Sequence, residues 1–156
     1  MTHSIVAADR SSGLIGLAVA TCMPAVGASV PWARAGVGAV ATQATVDPRY
    51  GATGLDLLAA GAAPADVLAQ LRADDPAAEH RQVALVDAAG RTAAFTGDAC
   101  FGCCGHLTGD GYVTAGMQVA TAIPIRPDER STATTECVIS RTSPSPVVEV
   151  PRERAS

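Results

Sequence analysis

The chain has 156 residues, 48% of them hydrophobic and 17% charged, with a formal net charge of −4. Every cation is an arginine, which gives no basic face for nucleic acid or anionic lipid. No run approaches the ~20 apolar residues of a membrane span, and the N-terminus lacks the charged, apolar and small-residue regions of a signal peptide, so the expectation is one cytosolic domain.

The chain opens Met1-Thr2-His3-Ser4-Ile5-Val6. Removal of the initiator Met would leave a hydroxyl nucleophile at the head of a strand, beside a free α-amine whose pKa near ~8 lets it take the hydroxyl proton. By itself the Met-Thr pair is also an ordinary strand start. Ser4 to Ala8 and Leu14 to Thr21 read as strands joined through Asp9-Arg10-Ser11-Ser12-Gly13, a tight reversal. On a regular strand His3 points away from the face shared by Thr2 and Ser4, toward the surface. Arg34, after Val30-Pro31-Trp32, is either a cation set beside this hairpin or an exposed residue in a connection.

Gly36 to Thr42 reads as a buried strand whose glycines allow close approach of another backbone. Thr53-Gly54-Leu55-Asp56 has the form of a helix N-cap followed by a first-turn carboxylate, predicting a short helix to about Ala60 with Gly61 as its stop. Pro64 suits a first turn, and Val67, Leu68 and Leu71 give a second helical stripe ending before Asp75-Pro76. His80, between Glu79 and Arg81, reads as a solvated turn residue. Gln82 to Asp87 and Arg91 to Thr96 form a second hairpin about Ala88-Ala89-Gly90. Strands, two helices, then strands indicate an α+β layered fold rather than a parallel βαβ sheet.

Cys22, Cys100, Cys103, Cys104 and Cys137 are an odd set, which fits a reducing compartment better than a disulfide framework. Cys100, Cys103, Cys104 and His106 offer soft ligands for zinc within seven residues, against a plainer reading as buried or incidental thiols. Beyond Met117 the periodicity ends and prolines recur among Ser, Thr and Arg, so 1–118 reads as the domain and 119–156 as a flexible or non-homologous tail.

The runs Ser4 to Ala7, Gly16 to Ala20, Val30 to Ala33, Ala35 to Ala44 with Thr42-Gln43, and Tyr50-Gly51 resemble the DUF1028 family, grouped with the N-terminal nucleophile (Ntn) hydrolases. The likeness continues through Asp75-Pro76, Arg81-Gln82-Val83, Thr96-Gly97, Gly105-His106 and Gly111-Tyr112, covering about 3–116. It implies a four-layer αββα sandwich, incomplete at the C-terminus here, and hydrolysis of an amide by Thr2 with its own amine as base and no cofactor. The lysine that some members of the superfamily set beside the nucleophile has no counterpart in this lysine-free chain, leaving Arg34 as the substitute. Thr42 and Gln43 are the candidate substrate-binding residues. The alternatives are a degenerate relative, a non-catalytic binding or assembly protein of the same fold, and a zinc module at Cys100–His106. A homo-oligomer paired through helical faces is the expected assembly, with a small-molecule or peptide amide as the other partner and neither nucleic acid nor membrane.

Overall fold

The computed structural model describes residues 1–117 and, as backbone, the strand 134–141. Its strands form two antiparallel sheets. One has the order β7-β8-β1-β2-β9, built from β1 (Thr2–Asp9), β2 (Leu14–Thr21), β7 (Gly105–Gly109), β8 (Tyr112–Met117) and β9 (Thr134–Arg141). The other has the order β3-β4-β5-β6, from β3 (Pro31–Arg34), β4 (Gly38–Ala44), β5 (Arg81–Asp87) and β6 (Thr92–Thr96). Helices α1 (Pro48–Ala59) and α2 (Pro64–Ala73) connect β4 to β5.

The hairpin that opens the chain is set by Asp9, whose carboxylate accepts from Ser11 N at 2.9 Å, Ser11 Oγ at 2.7 Å and Ser12 Oγ at 2.5 Å, while Gly13 takes the left-handed φ of 68° that closes the turn. Alternation then sorts β1 and β2. Val6, Ile15, Leu17 and Val19 are buried against Ala39, Ala41, Ala84 and Val86 of the four-stranded sheet, and Ser4 is buried on the same face of β1 as Val6. Many of the facing residues are alanines, small enough for the sheets to pack closely. The other faces of β4 and β5 carry Val40, Val83 and Leu85, packed under Tyr50, Leu55 and Leu58 of α1 and Val67, Leu68 and Leu71 of α2. Covered on both faces, β5 is buried at every position.

Helix α1 starts earlier than the Thr53 cap implied. Asp47 is the N-cap, accepting from Arg49 N at 2.9 Å, and Pro48 follows in the first turn. Gly51 lies inside this helix, where only a glycine fits because a Cβ would fall 2.1 Å from the Trp32 ring. Trp32 itself belongs to β3, a strand where the sequence reading had only a connection. The buried strand runs Gly38–Ala44 rather than 36–42, and β7 and β8 had no counterpart in the reading of the residues. Within the segment read as a tail, Thr134–Arg141 pairs with β2, from Arg141 opposite Leu14 to Thr134 opposite Thr21. The rest of that segment lies outside the described residues.

The fold is therefore α+β, with three layers among the described residues: helices, four-stranded sheet, five-stranded sheet. Both helices spend their apolar stripes on the four-stranded sheet. A fourth layer over the outer face of the five-stranded sheet is absent among the described residues. No helix among them is long and apolar enough to cross a membrane.

Candidate functional site

Thr2 begins β1, a strand inside its sheet, between Thr21 of β2 and Met117 of β8 in register. Its side chain shares the inward face with Ser4 and Val6 and lines a cavity of about 190 Å³ with Thr21, Val26, Val30, Gln43 and Val46. The cavity walls are largely aliphatic and carry no charged side chain among the described residues.

Thr2 Oγ lies 3.0 Å from Thr21 Oγ, and Thr21 is 1% exposed. The Thr21 hydroxyl also donates to the Met1 carbonyl at 3.1 Å and accepts from Met23 N at 3.3 Å. Across the cavity, Gln43 on β4 faces the five-stranded sheet. Its Nε2 donates to Gln82 Oε1 at 2.6 Å, and Gln82 Nε2 lies 2.9 Å from Gly105 O, 3.0 Å from Gly116 O and 3.0 Å from Thr96 Oγ. Main-chain carbonyls only accept, so they fix the Gln82 amide, and Gln82 in turn fixes Gln43 with its nitrogen toward β5. Among the described residues the Gln43 Oε1 acceptor is buried with no hydrogen-bond partner, as is Ser4 Oγ on the facing sheet. Two buried polar atoms without a partner among the described residues, one on β1 and one on β4, are costly to stability.

Of the sequence-predicted residues, Thr2 and Gln43 come together. Thr42 does not join them: alternation turns it to the helix side, where it is fully buried and donates to Asp47 O at 3.4 Å, tying β4 to the head of α1. Arg34 is also elsewhere. It pairs with Gly38 at the opposite end of β4 from Gln43, roughly 17 Å away for five residues of strand, and forms an exposed ion pair with Asp56 of α1 at 2.8 Å. An exposed pair of that kind contributes little, and it does not reach Thr2.

The zinc set does not converge. Cys100 Sγ donates to Arg81 O at 3.2 Å, and burial raises its pKa above the ordinary thiol value, keeping it protonated. His106 Nδ1 is 2.8 Å from Thr96 Oγ. Among the described residues no group of three His, Cys, Asp or Glu side chains is arranged to hold a metal ion. Cys103 and Cys104 instead border a broad open depression of about 810 Å³ on the outer face of the five-stranded sheet, where His3 and Ile5 point. His3 is thus on the opposite face from Thr2, as alternation requires. His80 is exposed.

Beside the site, Arg81 is the centre of a buried polar cluster. Its Nε donates to Asp75 at 2.8 Å and its Nη1 to Thr45 O at 2.7 Å, while Tyr50 Oη donates to Asp75 at 3.1 Å. The Arg81 hydrogen bond holds the Asp75 carboxyl down at about 2, and burial pushes the Tyr50 phenol up to about 12. This cluster anchors the Ala44–Asp47 turn that carries Ala44 and Val46 to the cavity wall. Thr21 and Gln82 escaped the sequence reading because only strand register brings them beside Thr2 and Gln43.

No curated protein matches the chain. Among solved structures it resembles a crystal structure of a Silicibacter pomeroyi protein of the DUF1028 family, with 32% identity and a TM-score of 0.72. The likeness covers 75% of this chain and 52% of that one, so the chain spans about half the length of this relative. The sequence profile of DUF1028, a family of unknown function, matches residues 2–126, and the chain belongs to that family.

Proposed function

We propose that the chain is an Ntn-type amidohydrolase whose nucleophile is Thr2, acting once Met1 has been removed. The observation that supports this most directly is the placement of the Thr2 hydroxyl on a cavity with no charged side chain among the described residues, 3.0 Å from the buried Thr21 hydroxyl. With no lysine in the chain and Arg34 far away, the base is the Thr2 α-amine, which titrates near ~8 and is partly neutral at physiological pH.

In the proposed reaction the Oγ–H proton passes to the α-amine as Oγ bonds to the substrate carbonyl carbon. The resulting α-ammonium returns a proton to the leaving nitrogen as the C–N bond breaks, giving an acyl ester on Thr2. Water then attacks the ester carbon as the amine takes its proton; the ammonium passes that proton to Oγ as the C–Oγ bond breaks, releasing the carboxylic acid and restoring the hydroxyl. Aliphatic walls and a volume of about 190 Å³ favour a small apolar acyl group.

Intact-protein mass spectrometry with a β-lactone tests the reading. The expected result is loss of the Met1 mass and a single acyl adduct mapped to Thr2, forming faster as pH rises through ~8 and absent in Thr2→Val. Retained Met1, or no adduct on Thr2, would overturn it.

A further inference from the structure

The Thr21 hydroxyl has one hydrogen and two lone pairs, and all three are committed. Met23 N can only donate to it, and the Met1 carbonyl can only accept from it. The remaining lone pair therefore accepts the Thr2 hydroxyl hydrogen across the 3.0 Å contact. While Met1 is present, the Thr2 proton points at Thr21 and no side-chain donor of this pair faces the Thr2 oxygen.

Removal of Met1 changes one term of this inventory. The carbonyl that took the Thr21 hydrogen leaves with Met1, while the Met23 bond remains. We propose that Thr21 is a positioning residue for the nucleophile: its released hydrogen turns to Thr2 Oγ and directs the Thr2 proton toward the new α-amine. The cleavage that creates the base thereby also creates the donor that stabilises negative charge developing on Oγ during attack. Burial of Thr21 strengthens such a bond, because water does not compete for its hydroxyl. The step conserves protons: Thr21 keeps its hydrogen throughout, and the proton moved is that of Thr2. This inference rests on the Thr2 amidohydrolase reading.

The test is β-lactone acylation of the full chain, resolved into KI and kinact, for wild type, Thr21→Val and Thr21→Ser. Val keeps the shape and loses the hydroxyl; Ser keeps the hydroxyl. Loss of a hydrogen bond to developing charge predicts that kinact falls about 10- to 100-fold in Thr21→Val with KI unchanged, and that Thr21→Ser recovers to within about threefold of wild type. A Thr21→Val kinact within about twofold of wild type would overturn the inference and leave the Thr2 reading standing. A fall shared by Val and Ser would also overturn it, since it would mark a packing role. A wild type that forms no Thr2 adduct would remove the Thr2 reading and the inference together. Should Thr21→Val not fold, a crystal structure of the Met1-free wild type decides: the two hydroxyl oxygens are expected to remain near 3.0 Å, and a Thr21 rotamer turned out of reach would overturn the inference.

Discussion

Asp75 shows how a single buried pair ties stability to pH. Its carboxylate sits at about 2 against an ordinary 3.8, chiefly because Arg81 donates to it, with the Ala77 N–H and the Tyr50 hydroxyl adding their own bonds. The folded pKa lies below the unfolded one, so the stabilisation is fully present above about pH 4 and is lost as pH falls through about 2. A shift of this size corresponds to about 2 kcal/mol. Urea unfolding from pH 6 down to pH 2 is expected to show wild type losing about that much more stability than Asp75→Asn, which has no proton to gain; equal acid losses would contradict the assignment. At neutral pH the same variant is destabilised, because it removes the carboxylate hydrogen-bonded to buried Arg81 and leaves the guanidinium only the Asp47 carboxylate among the described residues, at 3.6 Å. At this scale the sequence is legible where alternation along one strand decides, as in His3 facing away from Thr2. It is silent on Thr21, Gln82 and the Asp75–Arg81–Tyr50 cluster, whose members meet only through register and packing across up to 39 residues, as in Gln43 with Gln82.

At the scale of elements, helix α1 separates a sequence signal from the local physics that decides. Thr53 and Asp56 match a capping pattern, yet Thr53 lies exposed in the helix interior while Asp47 caps the N-terminus and pairs with Arg49 at 2.6 Å. Asp47→Ala is expected to cost about 1–2 kcal/mol in chemical unfolding, through loss of the cap, whereas Thr53→Ala should stay within about 0.5 kcal/mol of wild type or gain slightly from better helix propensity. The reverse ranking would restore the later helix start. The two hairpins and α2 were readable because their determinants are local: turn residues between alternating strands, and an apolar stripe behind Pro64. Helix α1 was half hidden because Gly51 serves a contact with Trp32, and Trp32 sits on a strand of only four residues that no periodicity marks. Strands β7 and β8 lie among glycines, with β7 exposed along most of its length, so their pairing leaves little apolar alternation in the sequence.

For the whole molecule, what matters is which surfaces the three layers leave uncovered. The apolar residues of α1 and α2 are buried on the four-stranded sheet, and their outward positions include Arg49, Thr53, Asp56, Asp66 and Arg72. A helical face of that composition offers little to a second copy. The outer face of the five-stranded sheet is different: Ile5 is 40% exposed, Leu107 74% and Tyr112 44%, around the depression of about 810 Å³ where Ala18 and Ala20 add further apolar surface. Contiguous apolar surface on a sheet draws association more strongly than scattered exposed residues do. Assembly of the chain on its own is therefore expected through this sheet face and not through the helices. Light scattering over a concentration series should show self-association of wild type that weakens in an Ile5→Thr, Leu107→Glu double variant, with unfolding midpoints little changed because both side chains are already well exposed. A helix-face variant such as Thr53→Glu should associate as wild type does. If the helix-face change breaks the assembly and the sheet-face change does not, the pairing runs through α1 and α2, and the sheet face is tolerated in water by virtue of its small residues.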